Sequence, residues 1–100
     1  MVTPPNCELC RRQIAELTKH HLIPRMRHRN RRTQKQFKRQ EMVERILWLC
    51  QPCHNHIHRV LSEKALADHY NTREALLAHD EIQRFVAWIK VKPAGFKPKA

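Results

Sequence analysis

At 100 residues the chain admits one domain with a thin core, because folding at this size buries only roughly 60 to 65% of the unfolded chain's surface. Twenty Lys and Arg against nine Asp and Glu give a net charge of +11 before any of the eight histidines is counted, which points to a polyanionic partner, nucleic acid first. No apolar run approaches the ~18 to 20 residues of a membrane-spanning helix, so a bilayer segment is excluded and no membrane partner is expected.

Met1 to Asn6 carries two prolines and no periodicity and reads as an extended lead-in. Met1 to Leu9 does not have the make-up of a secretion leader, so the four cysteines are expected reduced, in a cytoplasmic setting, in preference to disulfides. Cys7-Glu8-Leu9-Cys10 makes a tight knuckle. With Cys50 and Cys53 it forms a four-cysteine set whose thiolates, at about 2.3 Å, suit zinc. The expected role is structural, since four thiolates leave no open position, and such an ion supplies on the order of 10 kcal/mol of folding free energy that a small core lacks.

Pro24 stops the run ending in Leu22 and Ile23 and restricts Ile23 to extended geometry, giving a short strand over Thr18 to Ile23. Successive side chains on a strand face opposite ways, so His20 and His21 cannot share one job: one reaches a metal and the other faces across it. Arg25 to Arg45 is the densest basic stretch and the expected phosphate-binding segment, with Arg25, His28, Arg29, Arg31 and Arg32 as candidate contacts. Thr33 with Gln36 has the form of a capping box, predicting a helix over about Gln34 to Glu44.

Ile46 to Leu49 reads as a second strand, antiparallel to the first. Pro52 suits the first turn of a helix running to about Tyr70, with His54, His58, Leu61 and Ala65 along one face and His56 pointing elsewhere. Asn71 or Thr72 can cap a short helix to about His79, and Asp80 another over Glu81 to Lys90, where Ile82, Phe85, Val86 and Ile89 form an apolar stripe. Lys92 to Ala100 is a basic tail. The histidines outside the pairs (His28, His56, His69 and His79) are expected to be ordinary surface residues, with phosphate contact as a second reading for His28.

Leu49 to His58, LCQPCHNHIH, holds two ligand pairs in ten residues: Cys50 with Cys53, and His54 with His58 at i, i+4 on one helix face. Because Cys53 and His54 are adjacent, all four do not close readily on one ion. Two sites sharing one turn are expected, completed by Cys7 and Cys10 and by the His20-His21 pair.

Cys7 and Cys10, then KHHLIP over Lys19 to Pro24, then LCQPCHNHIH together resemble the HNH family of metal-dependent nucleases. The resemblance covers about Cys7 to His58. It implies an α+β protein with a small ββα-metal core, a two-stranded hairpin plus helix, carrying a four-cysteine zinc knuckle and additional C-terminal helices. A single nuclease domain over 1–100 would divide into knuckle and catalytic core (7–58), helical remainder (59–91) and tail (92–100). It implies His21 as general base, His20, His54 and His58 as ligands of a second divalent cation (Mg2+, Mn2+, Ni2+, Co2+ or Zn2+) beside the structural Zn2+, and DNA hydrolysis to 5'-phosphate and 3'-hydroxyl ends. The chain departs from the family at the central Asn, where Arg45 stands as a further candidate nucleic-acid contact. A monomer or weak dimer, acting with other phage or restriction proteins in a bacterial or phage-like setting, fits this expectation. Two other classes compete: a zinc knuckle that binds nucleic acid without cutting it, and a small assembly protein using its C-terminal helix.

Overall fold

The computed structural model describes residues 3–98. Its centre is a two-stranded antiparallel hairpin, β1 (Thr18–His21) and β2 (Ile46–Leu49), with Thr18 opposite Leu49 and His20 opposite Leu47. Leu22 N–H extends the ladder by donating to the Arg45 carbonyl at 2.9 Å. Alternation then sorts the side chains. His20, Leu47 and Leu49 go inward, while Lys19 lies over the outer Trp48 ring at 5.6 Å.

A one-turn 3-10 segment (Arg25–Arg27) and two short helices, α1 (Arg31–Gln36) and α2 (Arg39–Glu44), occupy the loop between the strands. The single helix expected over Gln34 to Glu44 is therefore corrected to two. Phe37 leaves helical geometry (φ −133°, ψ 140°) and packs with Ile23, Met42 and Ala67 in a second apolar cluster, so side-chain burial overrides local propensity. The cap also lies one turn earlier than the capping box suggested. Asn30 Oδ1 accepts from Thr33 N–H at 3.1 Å, and Thr33 is fully buried inside the helix.

After β2 come α3 (Gln51–Val60) and α4 (Glu63–His69), where one helix to Tyr70 was expected. Leu61 is extended (φ −120°, ψ 134°) and buried in the main core, and Ser62 restarts the chain by accepting from Ala65 N–H at 3.1 Å. Then α5 (Arg73–Ala78) is capped by Thr72, as the sequence suggests. In α6 (Asp80–Ile89) Asp80 is the first helical residue and His79 is the cap, its Nδ1 accepting from Glu81 N–H at 3.2 Å. Ile82 and Ile89 are buried, and α6 packs on α3 and α5. His56 is not a free surface residue: its ring stacks on Phe85 with centroids 4.1 Å apart. No helix among the described residues is long and apolar enough to cross a membrane.

The knuckle before β1 is closed by Arg11 N–H to Cys7 O at 2.9 Å and Cys7 N–H to Arg12 O at 3.0 Å. This turn puts Arg11 at φ 67°, the left-handed region that costs a non-glycine residue about 1 kcal/mol or more. Arg11→Gly is expected to stabilise the protein by about 0.5 kcal/mol, the relieved strain exceeding the added freedom of the unfolded chain, and thermal unfolding measures it.

Candidate functional site

Two groups of side chains that could hold a metal ion meet at the β2–α3 junction. In the first, Cys7, Cys10, Cys50 and Cys53 are buried to within 3% of full exclusion, and their Sγ atoms lie within 4.8 Å of one another. All four are free thiols, with Cys10 and Cys50 Sγ 3.8 Å apart. That is the edge of a tetrahedron with arms of about 2.3 Å, the zinc–thiolate distance, so four buried cysteines can bind a structural metal such as zinc. Cys10 is held well below the ordinary thiol range by Cys50, Cys53 and Cys7, with Arg12 adding, while Cys53 is pushed well above it, by Cys10 first. A divalent cation in place of the shared protons satisfies all four.

Arg12 was not foreseen. It donates Nε–H to Cys10 Sγ at 3.4 Å and Nη2–H to Cys50 Sγ at 3.3 Å, placing a cation against the sulfurs, and Nη1–H to the Pro93 carbonyl at 2.9 Å. Glu8 joins the knuckle to β2: its N–H donates to Trp48 O at 2.9 Å and its Oε2 accepts from Trp48 N–H at 2.7 Å.

The second cluster is His20, His54 and His58, each offering one ring nitrogen within 4.8 Å of the others. His20 is fully buried, and neither ring nitrogen has a hydrogen-bond partner. Its ring centroid lies 5.2 Å from that of His54 and 5.4 Å from that of His58. Burial first, then His54, His58 and His21, lower the His20 pKa to about 3. It is neutral at pH 7. Burying such a ring with no partner is costly, and the strand register gives it no alternative.

Thr18, also missed, sets the tautomer of His54. Its Oγ1–H donates to Leu49 O at 2.8 Å, since a carbonyl only accepts, so the hydroxyl accepts from His54 Nδ1–H, also at 2.8 Å. His54 Nε2 keeps its lone pair. Thr18 lies two residues before His20 on the same strand face, a relation that period-two reasoning can recover. Glu63 Oε1 stands 3.5 Å from His58 Nδ1.

His21 occupies the other face of β1 and lines a cavity of about 1150 Å³ together with Arg25, His28 and Arg29. Burial, then the charges of Arg25, His28 and Lys19, hold its pKa below the ordinary histidine range. His28 donates Nε2–H to Ile23 O at 2.7 Å, and its ring centroid lies 6.5 Å from that of His21. Arg31 and Arg32 are exposed on α1, outside that cavity. Arg45 is half-buried and held internally, by Glu41 Oε1, by Asn71 Oδ1 at 3.2 Å and over the Phe37 ring at 5.1 Å.

A curated relative from Bacillus subtilis, the uncharacterized protein YisB, is 36% identical over 87 residues, spanning 87% of this chain and 75% of its own length. No family model and no solved structure matches the chain.

Removing a metal held by the four cysteines is expected to collapse the fold, because all four belong to the buried main core. Cys50→Ser is expected to lower bound zinc by about one ion per chain and to abolish cooperative thermal unfolding, as read by elemental analysis and circular dichroism. A variant that loses the metal yet melts like the parent would show that the cluster is not structural.

Proposed function

Because the chain belongs to the family of the Bacillus subtilis protein YisB, whose name assigns no activity, its own residues must supply the function, and we propose a metal-dependent endonuclease of the HNH type. In this reading the hairpin and α3 form a ββα-metal core that hydrolyses DNA phosphodiester bonds to 5'-phosphate and 3'-hydroxyl ends. The observation that carries it is His20, fully buried with two unpartnered ring nitrogens and facing His54 and His58.

His20, His54 and His58 would hold a divalent cation, and binding would satisfy one of the orphaned nitrogens. Neutral imidazoles suit zinc, nickel, manganese or cobalt more readily than magnesium. Bound there, the ion supplies Lewis acidity to a phosphate oxygen and to the departing 3'-oxygen. The chain does the rest. His21, neutral at pH 7 in its half-buried site, accepts the proton of the attacking water. Thr18 holds the His54 ring in its tautomer, Glu63 stands beside His58, and Arg25, Arg29, Arg31 and Arg32 bind flanking phosphates of DNA. Arg45 supports the site through its backbone: its carbonyl accepts from Leu22 N–H beside His21 while its guanidinium ties α2 to Asn71.

With a supercoiled plasmid and Mn2+ or Ni2+, His21→Ala is expected to slow nicking on the order of 10² to 10⁴ fold without changing the melting temperature. An unchanged rate would sink the assignment of the base. Since burial and nearby cations favour the neutral ring, activity should persist below the ordinary histidine value of 6.5 and fall only at lower pH; a midpoint above 6.5 contradicts the role. Thr18→Val, which removes the acceptor from His54 Nδ1–H, is expected to weaken metal binding at the histidine cluster about 10- to 100-fold in a Co2+ titration, leaving the sulfur-bound ion in place.

A further inference from the structure

The cavity beside His21 has a surface that phosphate binding alone does not require. Its rim is cationic: Arg25, Arg29, Lys38 and Arg39 are exposed, and no carboxylate lines it. Apolar side chains line it as well. Met26 is 79% exposed and Val43 53%, and both line the cavity with Phe37 and Met42. These exposed side chains lie more than fifteen positions apart and reach one cavity through the fold, one from the 3-10 turn after β1 and one from α2.

Intact duplex offers little to cover such a surface: it presents phosphates, sugars, polar base edges and isolated thymine methyls, and the flat apolar faces of its bases are hidden by stacking. An unpaired base presents that face. Proteins that hold single strands combine a cationic groove for the backbone with aromatic side chains for the bases; here the rim is cationic, Phe37 is the aromatic, and Met26 and Val43 add exposed apolar surface. At about 1150 Å³ the space exceeds the ~300 to 1,000 Å³ of ordinary small-molecule sites and admits a nucleotide with its flanking phosphates.

We infer that this cavity receives an unpaired nucleotide, its base against Met26, Phe37 and Val43 and its phosphates on the arginine and lysine rim, so that the preferred substrate is gapped or single-stranded nucleic acid. The inference rests on the nuclease reading for what happens to the strand, but the binding preference stands apart from cutting. His21 and His28 line the same cavity, which places the unpaired nucleotide beside the proposed base.

The test uses zinc-loaded His21→Ala protein and two fluorescein-labelled DNAs of one sequence, fully paired or carrying a short unpaired gap. Anisotropy titrations are expected to show the gapped DNA bound at least about tenfold more tightly, the worth of stacking one or two bases. Met26→Ser with Val43→Ser is expected to bring the ratio of affinities close to one. Val91→Ser, at an apolar position 73% exposed outside the cavity, leaves the ratio unchanged. Equal affinities before substitution overturn the inference, as does a preference that survives the double substitution, or tighter binding to phosphatidylglycerol vesicles than to gapped DNA. Cutting of plasmid by the unsubstituted protein without any gap preference sinks this inference and leaves the nuclease; gap preference without cutting by that protein does the reverse.

Discussion

The register of β1 on β2 is the constraint on which the rest of the molecule depends. With His20 opposite Leu47, one histidine of an adjacent pair is driven into the core and the next is held at the cavity wall. A slip of one residue would exchange them, because strand side chains alternate. The same pairing ends at Leu49, so Cys50 turns directly into α3 and sends Cys53 to the sulfur cluster and His54 to the imidazole cluster. A sulfur cluster and an imidazole cluster are thereby built from one junction, and the N-terminal knuckle is bound to it through Glu8 and Trp48.

The core is small, and the four cysteines are part of it, buried alongside its leucines and isoleucines. Leu9, Leu49 and Ile57 are buried in the same cluster as the four cysteines. Arg12 offsets the charge that four thiolates would concentrate there.

Ligand spacing and strand alternation were legible because both are local: Cys-x-x-Cys, the i, i+4 histidines and the Pro24 stop each act within a few residues. The helix breaks were not. Phe37 and Leu61 lie in stretches with helical character, and each is pulled into extended geometry by a pocket formed from distant residues, Ile23 and Ala67 in one case and the main core in the other. The cap assignments differed on a smaller scale. Thr33 is buried inside its helix and leaves the cap to Asn30, while His79 takes the cap of the last helix one residue before the exposed Asp80. His56 was read as solvent-facing because its partner Phe85 lies in another helix, beyond any local pattern. Arg45 was noticed for what it replaces, yet its links to Glu41 and Asn71 depend on tertiary proximity.

The guanidinium of Arg12 reaches in two directions, to a pair of sulfurs and to the carbonyl of Pro93, 81 positions along the chain. Anchorage of the C-terminal segment is therefore tied to the ionisation of the cysteines. With thiolates in place the arginine is held in the orientation that also clasps Pro93, and neutral sulfurs weaken that hold. Protection of the backbone around Pro93 thus becomes a remote gauge of whether the knuckle is charged.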